Sequence, residues 1–594
     1  MIRQMDVKHS SLEQASMPLQ RWLPFLILFM MVGSLFLLDA VTSLQYLGLH
    51  TALLKNLGSW PFFPAHTLFP NLEVAHYFMD KKPPTPLLLE RAWKETALLV
   101  GTFVVLFVGY LLALRYLPRM ITFRYILLST ILLGILCVFF AAVLSNDVFS
   151  YINYARMAVI YHLNPLVAVP TRIRNDISFP YVYWTNQPSI YGPTWIVITA
   201  AVQRLLLKFG FTGLVSMVLS LRLIGLAMHL GSVALIWAIT GTLQKRYSFV
   251  STRKRVLATL AFAWNPLLLV EAVVNAHVDA AVLFLLLLAI WFLLYSVESR
   301  HTVWSLVPVA ALFAFAICLK LNVGILVTGL LLFLWFQRDR IRKILLFTVV
   351  TVGVTVLLYA PFWQHGALIK TIQGTPATAH NMNTLADFAS NLYKGIGLLF
   401  VHHPAGISPV RLYVNSHVEL YTHTVSMAIF ALFFIGLCWW TLRVPERINN
   451  VPALIRWLAF VWLLYCAIGS PWFWPWYLVT FFGLFALVEA TTDCQNWYVG
   501  LFRMPLVVRL LAFSSLTLYC FFTWGVGNTL VPGLFYFHWS DFRGLYMWIV
   551  PLMGLRIALR RHAVGTAITH KLPATRWHHV RALLGKVSNS TTAS

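Results

Sequence analysis

Long apolar runs broken by short polar connections dominate the chain, and their lengths predict helices rather than strands. A run of roughly 17 or more apolar residues crosses a hydrocarbon layer of about 30 Å as a helix. The pattern places such helices near 23–44, 95–115, 125–145, 218–241, 255–274, 278–297, 303–320, 322–337, 344–362, 421–442, 455–470, 474–490, 507–525 and 544–558. The expected fold is an all-α polytopic membrane protein with about 14 transmembrane helices. The stretch from Ile196 to Leu207 is apolar but short. Counting it as a span would put Lys245 to Arg255 on the side opposite the other basic connections, so it reads as a juxtamembrane or re-entrant helix.

Composition agrees with this class. The 594 residues are 59% hydrophobic and only 11% charged, against about 25% charged in soluble domains. The net charge of +25 would suit a nucleic-acid partner, which needs a basic face on a soluble domain, and the pattern contains no such domain. Arg and Lys instead gather in short connections: Arg115, Arg119 and Arg124; Lys245, Arg246, Arg253, Lys254 and Arg255; Arg338, Arg340, Arg342 and Lys343; Arg443, Arg447 and Arg456. That is the positive-inside pattern. It predicts a multi-pass cell-membrane protein with both termini cytoplasmic. The apolar core after Arg21 is too long for a signal peptide and lacks a small-residue cleavage site, so a retained first helix is expected. The six cysteines have no paired spacing, which supports neither a disulfide framework nor a zinc site.

Orientation by charge sorts the connections into short basic cytoplasmic loops and three long outer ones, 45–94, 146–217 and 363–420, rich in Trp, Tyr, His, Asn and Pro. Long structured loops are where function concentrates, so function is expected on the extracytoplasmic side. The divisions expected are a cytoplasmic N-terminal tail (1–22), a transmembrane module (23–490), further C-terminal helices (491–558) and a basic cytoplasmic tail (559–594).

Five groups on that face carry candidate chemistry, each with a plainer alternative. Asn146-Asp147 follows the span 125–145, and on a helix Asp147, Tyr151 and Tyr154 share one face; the alternative is a carboxylate that caps the helix. Trp264-Asn265-Pro266 breaks a span, and Glu271, His277 and Asp279 crowd its end, where ionisable groups default to functional candidates unless Asn275 to Asp279 is only a polar hairpin. Lys320, between two apolar runs, either snorkels or offers charge to an anion. Ser470 to Tyr477 is an aromatic belt or a stiff wall that grips sugar or lipid. Arg172 and Arg174, with Asp176 beside them, form a solvated loop face, or the two arginines clamp a phosphate. No Gly-rich phosphate loop, nucleophile elbow, metalloprotease helix or redox motif is present.

Read in order, Asp147-Val148-Phe149-Ser150-Tyr151 through Arg156, Leu163-Asn164-Pro165, Tyr191-Gly192-Pro193-x-Trp195, Trp264-Asn265-Pro266 with Glu271, Asn275-Ala276-His277-x-Asp279, Lys320-Leu321 and Pro475-Trp476-Tyr477 resemble the bacterial polyprenol-phosphate-mannose-dependent α-mannosyltransferases of the GT-C fold. The resemblance runs from about residue 125 to 490 and departs at Val278, where relatives often carry Asn. It implies a GT-C-like catalytic module in 23–490, a polyprenyl-phosphate sugar donor, a glycan or glycolipid acceptor and a membrane-lipid setting, with no nucleic acid. No cofactor is expected, and the need for a divalent metal is left open.

A sugar phosphate already contains a good leaving group. An inverting displacement therefore needs one base for the acceptor hydroxyl and positive charge for the departing phosphate. Asp147 suits the base, and Arg156, Lys320, Arg172 and Arg174 are candidates for the phosphate. Asn146, Tyr151, Tyr191, Glu271, Asn275, His277, Asp279, Trp476 and Tyr477 are candidates for substrate binding. A transporter or flippase of a lipid-linked or amphipathic anion is the alternative; it would use the same charges along a path, but it predicts inverted repeats with matched broken helices that the sequence does not show.

Overall fold

The computed structural model describes residues 2–44, 86–141, 144–298, 303–373, 381–399, 416–491, 505–520 and 542–553. The described part is all-helical, 82% helix without a strand. In chain order the principal helices are α1 (Ile2–Leu44), α2 (Pro86–Tyr116), α3 (Phe123–Val138), α4 (Asp147–Val159), α5 (Pro193–Lys208), α6 (Leu214–Arg246), α7 (Thr252–Ala263) and α8 (Pro266–Leu269). They continue with α9 (Asp279–Glu298), α10 (Val307–Ile317), α11 (Ile325–Trp335), α12 (Arg340–Tyr359), α13 (Leu385–Leu399), α14 (Ser416–Arg443), α15 (Val451–Leu464), α16 (Leu478–Thr491) and α17 (Pro505–Leu516).

Several of these helices are apolar enough to suggest a membrane protein. Among the described residues, seven are also long enough to cross a membrane, or eight if the bent pair α7–α8 counts as one span. The expected count of about fourteen is not confirmed. Further apolar helices of 10–17 residues, such as α3 and the stretches through α10, α11, α16 and α17, are too short by that measure. Two of the expected runs are interrupted by breaks in the helix. The span expected over 125–145 stops at Val138. The one expected over 255–274 bends by 45° at Asn265-Pro266, where Pro cannot donate a helical hydrogen bond and the Asn265 side chain accepts from Leu267 N instead. The short helix expected at 196–207 is present as α5. Most of the loop 45–94, part of 363–420 and the tail 559–594 lie outside the described residues, while 86–94 belongs to α2.

Helices α6, α7, α9 and α16 pack on one another, with α3 against α6, α10 against α9 and α15 against α16. Apolar side chains on all faces of α16 are buried, as expected for an inner helix. In α12 and α14, by contrast, only 11% of the apolar window is buried, and rows such as Ile341, Leu345, Val349, Val352 and Val356 stand exposed. These two helices form an apolar outer face.

The backbone freed by the breaks needs partners, because an unpaired peptide group in an apolar interior costs several kcal/mol. Arg222, fully buried on α6, supplies them. Its Nε donates to Val274 O at 2.7 Å and its Nη1 to Val138 O at 3.1 Å and to Phe140 O. Asp39 of α1 accepts from Ala141 N at 2.9 Å, and Asn275 accepts from Leu144 N at 3.0 Å. Gly225, one turn beyond Arg222, lets the Ala272 carbonyl approach so closely that a Cβ there would stand 2.0 Å from its oxygen. Arg222→Met removes the donors to three carbonyls, each worth about 1–3 kcal/mol when left unsatisfied. The variant should melt well below the parent in detergent, with Arg222→Lys intermediate, because an ammonium cannot fork to separated carbonyls. An Arg222→Met protein with the parent's melting midpoint would contradict this role.

Candidate active site

Three breaks bring the candidate residues together: the α3–α4 connection, the π-turn Val270–Val274 that runs from α8 toward α9, and the segment between α10 and α11. The first places Asp147 at the start of α4. Its carboxylate accepts the Tyr191 hydroxyl at 2.8 Å, not an amide of its own helix, so capping is not what holds it. Tyr151 and Tyr154, one and two turns on, face the same loop. Tyr151 packs edge-on against Tyr191 and Trp195, and Tyr154 donates to Gln187 O.

The Tyr191 loop is fixed from the other side. Gly192 N donates to Leu319 O at 3.1 Å and Thr194 N to Cys318 O at 3.2 Å. A Cβ on Gly192 would lie 2.1 Å from Cys318 O, so only glycine permits this approach. The contact locks the loop that holds Asp147 to the segment that carries Lys320. Lys320 Nζ lies 2.9 and 3.1 Å from the two oxygens of Asp279 and 3.7 Å from the Tyr477 ring centroid.

The π-turn supplies the inner wall. Ala276 takes φ +51°, an uncommon conformation for a residue with a Cβ, and so turns His277 back toward Asp147. Its Nδ1 lies 3.6 Å from Asp147 Oδ2 and 3.4 Å from the Tyr151 hydroxyl. Its other nitrogen, Nε2, lies 3.3 Å from Glu271 Oε2, off the hydrogen-bonding direction. One face of the imidazole stacks on Trp476 at 4.0 Å. Burial, with Lys320 adding to it, holds His277 well below the ordinary histidine range and therefore neutral.

Glu271 has no exposed surface. Its oxygens accept Tyr519 OH at 2.9 Å and Asn275 Nδ2 at 3.0 Å, so it stands behind His277 and Asn275 rather than in open space. Asn275 is buried too, with its amide shared among Leu144, Glu271 and Tyr519. Val278 is buried and its N–H approaches Tyr151 OH at 3.5 Å. Asn146 lies beside Asp147, half-buried.

Of the four cations named for a phosphate, only Lys320 joins this group. Arg156 is buried, with its Nε 2.8 Å from Asp176 Oδ1, and Tyr161 and Ser178 donate to the same carboxylate. Arg172 and Arg174 are exposed on the loop between α4 and α5. Sequence reading did not single out Tyr519, Arg222 or Asp39. The last two did leave a signal, because a charged residue inside an apolar run is a candidate by default.

Comparison with known proteins adds to this geometry. Residues 72–337 match the family model described as alpha-(1->6)-mannopyranosyltransferase, N-terminal domain. The match bears out the resemblance to mannosyltransferases of the GT-C type. No curated protein and no solved structure matches the chain. The matched segment holds Asp147, Tyr191, Glu271, His277, Asp279 and Lys320; Trp476, Tyr477 and Tyr519 lie beyond it. With the apolar helices, the alpha-(1->6)-mannopyranosyltransferase match supports a membrane mannosyltransferase.

Burial pushes the Asp147 carboxyl up to about 6, while the Tyr191 hydrogen bond and the Lys320 charge pull it down and Asp279 pushes it up. A carboxylate that ionises near 6 is a stronger proton acceptor than an ordinary one and is still ionised at neutral pH. Tyr191→Phe deletes a bond that favours the ionised form, so the Asp147 pKa should rise further. The acid limb of the activity profile, expected near pH 6 in the parent, should move to higher pH in Tyr191→Phe. A limb that stays in place would show that the Tyr191 bond does not act on the titrating group.

Proposed function

We propose that this chain moves a mannosyl unit from a polyprenyl-phosphate donor to a glycan or glycolipid acceptor on the extracytoplasmic face, with inversion and with Asp147 as general base. The observation that carries the reading is the Asp147 carboxylate. It retains 17% of its side-chain surface and is held by Tyr191 rather than by a cation. It stands in a cluster that also contains a lysine.

The acceptor hydroxyl loses its proton to Asp147 as its oxygen bonds to the sugar's anomeric carbon. The bond from that carbon to the phosphate oxygen breaks, and the electron pair leaves with the polyprenyl phosphate. Only one carboxylate needs to touch the acceptor, whereas a glycosidase needs two because it must also protonate its leaving group. In this reading Lys320 meets the phosphate. Asp279 and the Tyr477 ring hold its Nζ from two sides, which orients the ammonium before the donor arrives. Neutral His277 presents Nδ1 toward Asp147, and the stacked Trp476 fixes the imidazole plane. The positive-inside pattern supports the extracytoplasmic placement, and the apolar exterior of α12 and α14 is compatible with a lipid-linked donor.

General-base catalysis contributes about 10²–10⁴-fold. Asp147→Asn should therefore cut transfer from labelled polyprenyl-phosphate mannose by at least that lower order, with folding nearly unchanged and donor binding no weaker, because Asn can still accept from Tyr191 and a charge facing the phosphate is removed. Near-normal transfer by Asp147→Asn, or a product of retained anomeric configuration, would overturn the assignment.

A further inference from the structure

One segment touches both ends of the site. At its C-terminal end Tyr477 lies under Lys320, and in its middle Trp476 stacks on His277 and, in near-parallel rings 5.2 Å apart, on Trp474. Its N-terminal end carries Trp472, whose ring meets Trp184 at 5.7 Å. Trp184 in turn packs edge-on against Tyr183 at 4.9 Å, and Tyr183 is 68% exposed. The loop that carries Tyr183 and Trp184 runs on to Gln187, which holds Tyr154, and to Tyr191, which holds Asp147. Aromatic residues therefore run along this segment from Tyr477 beside Lys320 to Trp472, and on to Trp184 and Tyr183 of the neighbouring loop.

We propose that Trp184, Trp472 and Tyr183 form an acceptor subsite that binds the hexopyranose units preceding the one whose hydroxyl reacts. The inference rests on the transfer reading above and deepens it. Aromatic faces suit the apolar faces of pyranose rings, and pockets that select ligands pair such rings with a few polar groups. Those polar groups are present. Arg172, Arg174, Asn175 and Asn186 are exposed on the same loop, whose two limbs are tied by Thr171 N donating to Thr185 O at 3.0 Å. A surface immersed in acyl chains would not expose two guanidiniums and two amides, which favours a glycan over lipid tails.

The wall is also held rigidly, as a stacking platform must be. Met382 N donates to Pro471 O at 2.9 Å and Phe473 N to Met382 O at 3.0 Å, so Trp472 sits between two bridging bonds. The buried Asn383 side chain donates to Phe473 O. A preorganised ring loses little entropy when a sugar settles on it.

The test combines equilibrium binding with kinetics on the full-length protein in detergent. Binding of a linear mannotetraose and of methyl mannoside is measured without donor, in the parent, Trp184→Ala, Trp184→Phe and Tyr183→Ala. Loss of one stacking ring should weaken tetrasaccharide binding, and raise its acceptor KM, roughly tenfold. Methyl mannoside and donor KM should change little, and Trp184→Phe should recover most of the loss. Equal weakening for both acceptors, or none for either, would overturn the subsite. So would quenching of the Trp184 fluorescence, read as parent minus Trp184→Phe, by brominated acyl chains in vesicles, because that places the ring in lipid. If the parent binds tetraose through Trp184 yet transfers no mannose, the subsite stands and the transfer reading fails. If it transfers mannose with the same acceptor-length preference in Trp184→Ala as in the parent, the subsite alone fails.

Discussion

The site exists because helices stop short, and they can stop short because Arg222 takes the carbonyls they leave behind. A peptide group without a partner is more costly in an apolar interior than almost any packing defect. Val138, Phe140 and Val274 belong to two separate breaks, and one guanidinium bonds all three. Its planar fork suits that task where a lysine's single ammonium does not. The charge of Asp39 acts on Arg222 from α1, while its own carboxylate takes Ala141 N. The loop that presents Asp147 and the turn that presents His277 are thus fastened to the same point on α6. Gly225 brings that turn against the helix one turn further on.

A second fastening operates at the other end. The bonds from Gly192 and Thr194 to the carbonyls of Leu319 and Cys318 couple the partner of Asp147 to the backbone beside Lys320. Asp147 and Lys320 therefore sit in one frame, although they lie 173 positions apart in the sequence. Placement of that kind is what lets electrostatic groups act without reorganising. Glu271 contributes from behind. Held by Tyr519 and Asn275, it braces the turn and faces His277 without reaching the space around Asp147.

Much of this was legible in the chain, and the parts that were not have a common cause. Apolar run length gave the positions of most helices, and Asn265-Pro266 marked a bend, because both are local properties. The shared face of Asp147, Tyr151 and Tyr154 followed from helical spacing and reappears as three contacts to one loop. Partner choice was not local. Lys320 had two readings, snorkelling or anion binding, and neither included Asp279, 41 residues away. Arg156 looked free for a phosphate because nothing in its neighbourhood announces Asp176, which reaches it only after the loop turns. The expected helix over 125–145 failed for the same reason. Beyond Val138 the peptide groups of Phe140, Ala141 and Leu144 bond to polar side chains distant in sequence, Arg222, Asp39 and Asn275. The expected count of about fourteen spans is not confirmed among the described residues, where breaks that build the site also shorten spans.

The balance of charge in the site bears on how a base and an anionic leaving group can share it. Asp147 and Asp279 lie near one lysine, Glu271 stands behind His277, and His277 is neutral. Three carboxyl groups and one ammonium would repel a phosphate if each carboxylate remained ionised and uncompensated. Tyr519 and Asn275 donate to Glu271, and Lys320 compensates Asp279, which leaves Asp147 as the group whose charge a donor would meet. Its carboxyl already ionises near 6. Under the proposed reaction, an arriving phosphate adds a like charge nearby, which strengthens the hold of Asp147 on a proton. The donor would thus make Asp147 a more basic group in the complex than in the free protein. The same repulsion that weakens phosphate binding would then favour removal of the acceptor's proton, provided the pH lies far enough above the raised pKa to keep the carboxylate bare.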